Sequence, residues 1–198
     1  MIEPAKNTED IKNSAADLYW LAFALTERQD LSIEIASDTA VSDDYASPFF
    51  ADWMRGWQRR LVIGRALTSI HDELAESARR TQLARVNSSA RGSAPPRNWS
   101  LSPGTSKTDV QQALLSIDLF PRAALLLLVF EGIRMADAAV LLDADPALIR
   151  KAQAIGLREL TAHLSHKDHR GNKPVTNTWR EDAPKKLCSW LRATAICH

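Results

Sequence analysis

The stretch that decides the fold is "MADAAVLLDADPALIRKAQAIGLREL", residues 135–160. It holds two apolar-periodic runs about one helical turn apart, with an acidic break between them. In "MADAAVLL", Ala138, Ala139, Leu141 and Leu142 are available for packing at helical spacing. "DADP" ends that run: Asp145 can cap a new helix, and the fixed φ of Pro146 suits a first helical position. The next run, "ALIRKAQAIGLREL", sends Leu148, Ile149 and Leu160 to the core and leaves Arg150, Lys151 and Arg158 outside. A short helix, a tight turn and a longer helix with basic residues in its first turn make the helix-turn-helix pattern, whose second helix enters the major groove. A plain helical bundle satisfies the same run.

The flanking sequence is helical too. "LFPRAALLLLVF", residues 119–130, is an apolar helix opened by Pro121, and Gly132 is placed to stop it. Near the N-terminus, Leu18, Leu21, Ala22 and Leu25 recur at three- and four-residue spacing from Ser14 onward. "DLSIEIASDTAV" predicts a second helix with Ile33, Ala36 and Ala40 on one face and Glu34 and Asp38 on another. From Ser47-Pro48, residues 47–86 hold one or two long helices. Strand-like alternation is absent throughout, which predicts an all-α fold.

Between the helical regions lies "VNSSARGSAPPRNWSLSPGTSK", residues 86–107, with three prolines, two glycines and six serines. Such composition resists both helix and strand and predicts a flexible linker. The expected organisation is an N-terminal helical domain over 1–85, this linker, a helix-turn-helix domain over 108–164 and a basic tail over 165–198.

Charge follows the same divisions. Residues 1–50 carry a net −7, 51–107 a net +6, 108–164 a net −2 and 165–198 a net +4, although the whole chain is only +1. An acidic block followed by an arginine-rich one predicts two faces for two unlike partners. Mutual neutralisation within one domain accounts for the blocks equally well. No run of 18 uncharged apolar residues is present, so no membrane span is expected. The acidic N-terminus lacks a signal-peptide pattern. Cys188 and Cys197 both lie near the C-terminus, which predicts no disulfide framework and a reduced cytoplasmic setting.

The segment "LFPRAALLLLVFEGIRMADAAVLLDADPALIRKAQAIGLREL" resembles the promoter-binding C-terminal domain of extracytoplasmic-function RNA polymerase sigma factors. The Leu-x-Pro opening, the Glu-Gly turn, the acid-Ala-Ala run ending at Leu142 and the spacing to Leu160 carry the resemblance. "DLYWLAFALTERQDLSIEIASDTA" is similar to the first helices of that family's N-terminal domain. "FFADWMRGWQRRLVIGRAL" resembles its Trp-led helix, which reads the start-proximal promoter element. Together the two halves cover roughly residues 14–164. The resemblance implies core RNA polymerase and promoter DNA as partners, with an anti-sigma factor as a further one, and neither a membrane nor a cofactor. It also implies that the helix bearing Glu34 and Asp38 meets the polymerase clamp helices. Ala152, Ile155 and Leu157 stand where the family commonly has Arg or Lys, and Arg60 and Gly64 stand where it has Asn and Asp. With a net acidic helix-turn-helix domain, weak DNA binding by that domain alone is expected.

Residue chemistry points the same way. Glu34 and Asp38, one turn apart, form an acidic face able to meet a basic helix, or a plain solvated face. Trp57, with Arg59, Arg60 and Arg65, suits an unpaired strand, the aromatic stacking on bases and the guanidinium groups following phosphates. Trp53 is expected in the core. No nucleophile–base pair or phosphate loop stands out, so an enzyme is not expected. His163, His166, His169, Cys188, Cys197 and His198 are permitted zinc ligand types but lack paired Cys-x-x-Cys spacing, and no metal site is expected. Two other readings fit these residues: a degenerate sigma-like protein acting through protein contacts, and a helix-turn-helix regulator that binds duplex DNA without polymerase.

Overall fold

The computed structural model describes residues 4–40, 48–84 and 105–168. All regular elements among them are helical, as the sequence predicts. The chain divides into two compact units, one through Ser69 and one from Ile70. The expected linker over 86–107 falls almost wholly outside the described residues. Its last two residues already start a helix, because Ser106 forms a capping box with Asp109. No described helix is long and apolar enough to cross a membrane.

The first unit contains α1 (Pro4–Thr26), α2 (Gln29–Thr39) and α3 (Pro48–Ser69), each packed on the other two. α1 begins ten residues before the expected Ser14 and buries the predicted stripe of Leu18, Leu21, Ala22 and Leu25. Glu27 ends it in the left-handed region at φ 56°. The Thr26 hydroxyl donates to Ala22 O at 3.0 Å and accepts from Arg28 N at 3.3 Å, which locks the turn into α2. α2 buries Ser32, Ile35, Ala36 and Thr39; of the expected face Ala36 is buried, while Ile33 and Ala40 are only half-buried. Hydroxyls tolerate that face because they satisfy themselves locally: Ser32 Oγ donates to Arg28 O at 2.6 Å and Thr39 Oγ1 to Ile35 O at 2.8 Å.

The second unit contains α4 (His71–Leu83), α5 (Lys107–Leu115), α6 (Leu119–Leu125), α7 (Met135–Leu141) and α8 (Pro146–Asp168). α4 packs on α6 and α8, although sequence reading groups it with residues 1–85. Its seam with α6 is polar. Ser77 Oγ donates to Asp118 Oδ2 at 2.8 Å and accepts from Phe120 N at 2.8 Å, satisfying one of the orphan amides at the start of α6. Arg80 adds a 2.9 Å bond to Asp118 Oδ1. Pro121 lies in the first turn of α6 rather than at its opening position, where its missing N–H still costs nothing.

Beyond Leu125 the helix widens into one π-helical turn over Leu126–Phe130, and Gly132 ends it at φ +63° as expected. Fully buried Phe120, Leu125, Leu127, Ile149 and Leu160 form the centre of this unit. Each such side chain contributes about 1.5–3 kcal/mol on burial. α6 and α8 approach closely at Gly156, where an added Cβ would lie 2.8 Å from Pro121 O. Buried Arg122 donates through Nη1 to Leu115 O and Ile117 O, placing a cation at the C-terminal end of α5.

Candidate nucleic-acid and partner interface

The α7–α8 connection is built as its residues dictate. Leu142–Asp145 join the helices, and Asp143 takes φ 45°. Ala144 N donates to Ala139 O and Asp143 N to Val140 O, the two bonds of a Schellman motif. Asp145 Oδ1 then accepts from Ala147 N at 2.6 Å, so the predicted cap is present with Pro146 beside it at the first helical position. Ile149 and Leu160 are buried as expected, while Leu148 is only half-buried. Ala138 of α7 and Leu142 just after it are buried, but Leu141 is not, and Val140 is 81% exposed.

The three basic residues of α8 have different surroundings. Arg150 and Arg158 are both exposed and share a face two turns apart, separated along the axis by about 12 Å. Exposed Ala147 and Ala154 lie on the same face, leaving low relief between the two guanidinium groups. Lys151 points elsewhere: its Nζ donates to Gln82 O at 2.8 Å. That carbonyl belongs to the last turn of α4, where a cation complements the helix dipole. Sequence offered no signal for this bond, since the partners are 69 residues apart.

In the first unit, α3 presents the other candidate residues. Phe50, Trp53 and Trp57 are 45%, 54% and 42% exposed, so Trp53 is a surface residue and not the expected core one. Phe50 and Trp53 stack with ring centroids 5.6 Å apart, and their three- and four-residue spacing puts Trp57 and exposed Arg60 on the same face. Gln58 turns inward instead and is 1% exposed. α3 contributes Val62, Ile63, Ala66 and Leu67 to the core of this unit, so its Trp rings are not needed to fill it. Arg59 is half-buried; Arg55 pairs with Asp52.

Beside this aromatic face, α2 and α3 flank an open groove of about 520 Å³. Glu34 and Asp38 line it from α2, and Arg60 and Arg65 from α3, with Ile35, Leu61 and Gly64 between. The expected acidic face therefore exists, with both carboxylates exposed. Its neighbour could not be read from sequence: Arg65 Nη1 lies 3.0 Å from Asp38 Oδ2, an ion pair across 27 residues. The side chains of Glu34 and Arg60 make no hydrogen bond or ion pair among the described residues.

Among the described residues, a carboxyl group with a clear shift lies outside these surfaces. Burial raises the Asp118 pKa, but hydrogen bonds from Arg80, Ser77 and the Leu119 backbone outweigh it and hold the carboxyl below its usual value. On α1, burial pushes the Tyr19 hydroxyl above its ordinary range, against a lowering hydrogen bond with Gln29. Both shifts accompany structural contacts within a unit. His163 is exposed on α8, and His169, Cys188, Cys197 and His198 lie outside the described residues, as does the side chain of His166. Among the described residues no three metal-ligating side chains gather.

No protein-family model, curated protein or solved structure matches this chain.

Proposed function

We propose that this is a sigma-factor-like protein of the cytoplasm that binds core RNA polymerase and directs it to promoter DNA. The observation that carries this reading is the exposed face of α3, on which Phe50, Trp53, Trp57 and Arg60 follow one another at helical spacing. The exposed rings of Trp53 and Trp57 offer faces on which bases can stack, each such contact being worth about 1–3 kcal/mol. Arg59, Arg60 and Arg65 supply the positive charge that an unpaired strand requires. Glu34 and Asp38 offer a basic helix of polymerase two carboxylates one turn apart. Arg150 and Arg158 on α8 contact duplex DNA, with Arg150 nearer the helix N-terminus where base edges are read.

A second reading, a sigma-like protein that binds a partner such as an anti-sigma factor without selecting promoters, draws on Lys151. Its bond to Gln82 O leaves α8 two exposed arginines, within a stretch, residues 108–164, whose net charge is −2. In vitro transcription with core polymerase separates the two readings. The first expects Trp53→Ala with Trp57→Ala to lower promoter opening at least tenfold while polymerase is retained, and Glu34→Lys to weaken polymerase recovery. Polymerase recovery without promoter-dependent transcripts from the unaltered chain selects the second reading. No association with polymerase refutes the first.

A further inference from the structure

The groove of the first unit brings together residues that the proposed function gives to two different partners. Asp38 belongs to the acidic face offered to a basic helix, and Arg65 to the cationic set offered to phosphate. In the structure they neutralise each other at 3.0 Å. Both ends of the pair are about half exposed, so either can be taken by an incoming group without opening the core. Glu34 and Arg60, lining the same groove, have no such bond among the described residues.

We infer that the Asp38–Arg65 pair is a clasp that couples the two binding functions of the first unit. A cation from a protein partner that takes Asp38 releases the Arg65 guanidinium, and Arg65 then becomes available to a nucleic-acid phosphate. The exchange conserves charge pairing: one ion pair across the groove is replaced by two intermolecular ones. Linkage makes the effect reciprocal, because phosphate that takes Arg65 leaves Asp38 open to the cation by the same factor. An exposed pair of this kind is weak, and its release is worth a factor of about 1.5 to 5 in affinity. The clasp therefore tunes binding and does not abolish it. The inference rests on the proposed nucleic-acid role of α3.

Neutralising Asp38 imitates its capture by a cation, so the full-length chain can be tested without a partner. Phenylglyoxal modification read by mass spectrometry reports the two guanidinium groups separately. Arg65 is expected to react more slowly than Arg60 in the unaltered chain, and Asp38→Asn is expected to speed Arg65 selectively. Glu34→Gln, which removes a charge from the same groove but not from the clasp, leaves that ratio unchanged.

The second measurement is fluorescence anisotropy with a labelled 12-nucleotide oligothymidylate. Asp38→Asn is expected to tighten binding about 1.5- to 5-fold more than Glu34→Gln does. That surplus disappears when Arg65 is also changed to Ala. Equal gains from the two neutralising variants, or a surplus that survives Arg65→Ala, overturns the clasp while oligonucleotide binding by the unaltered chain still supports the proposed role. An Arg65 reactivity that ignores Asp38→Asn also overturns it. Absence of oligonucleotide binding by every form refutes the nucleic-acid role of α3 and the clasp with it.

Discussion

Replacing Gly156 by Ala perturbs the closest helix approach in the second unit, and the structure sets the size of the effect. An added Cβ would meet Pro121 O at 2.8 Å and Pro121 C at 3.3 Å. Ordinary contact begins near 3.4 Å, so α6 and α8 must separate by roughly 0.6 Å or the backbone must distort. Both offending atoms are main chain, so no side-chain rotation relieves them. Overpacking of this kind costs about 1–3 kcal/mol, while alanine in a helix interior returns about 1 kcal/mol relative to glycine. Gly64→Ala supplies the control, because a Cβ there meets nothing within 4 Å. It is expected to stabilise its helix by about 0.5–1 kcal/mol. Gly64 lies in the first unit and Gly156 in the second, so each variant is compared with the unaltered chain in the transition of its own unit. The helix-propensity gain is common to both changes, and the difference between the two shifts isolates the steric cost. With a denaturant slope of about 2 kcal/mol/M, a gap of about 2 kcal/mol makes the two shifts in urea midpoint differ by roughly 1 M. Urea unfolding followed by far-ultraviolet circular dichroism measures it. A Gly156→Ala shift equal to the Gly64→Ala one would refute the close-approach argument.

Other outcomes follow from the polar seam and from α8. Asp118→Asn is expected to lower stability at pH 7 by about 1 kcal/mol, discounted for the exposure of the Arg80 pair. Because the native Asp118 pKa is depressed, its contribution is present above the ordinary carboxyl value. It is lost as pH falls through the native one, so the stability curves of the two proteins should converge in acid. Divergence toward low pH would contradict this assignment. On α8, Arg150→Ala is expected to cost roughly 1–3 kcal/mol in promoter-complex formation and relax preference at one base pair. Lys151→Ala is expected instead to shift thermal stability through lost capping of α4, with little change in the salt dependence of DNA binding. A salt slope reduced by about one in the Lys151 variant would return that residue to the DNA surface.

Much of the helical framework is legible in the chain because its signals are short-ranged. Asp145 and Pro146 open α8 through bonds and dihedrals confined to three residues, and Gly132 stops the preceding segment with its own positive φ. The stripe of Leu18, Leu21, Ala22 and Leu25 fixes the inner face of α1 by spacing alone. What tertiary structure decided depends on partners distant in sequence. α2 turned toward its neighbours the face with Ser32 and Thr39, since local back-bonding made those hydroxyls cheap to bury. α4 joined the second unit through Ser77 and Arg80, whose acceptor Asp118 lies 41 and 38 residues away. Trp53 stayed outside because aliphatic side chains already filled the core beneath α3. Asp38 met Arg65, and Lys151 met Gln82, across 27 and 69 residues. Local chemistry determines where a helix starts, where it stops and which residues share a face. Only packing determines which face is covered and which charges are left free to meet a partner, because both depend on what the rest of the chain brings alongside.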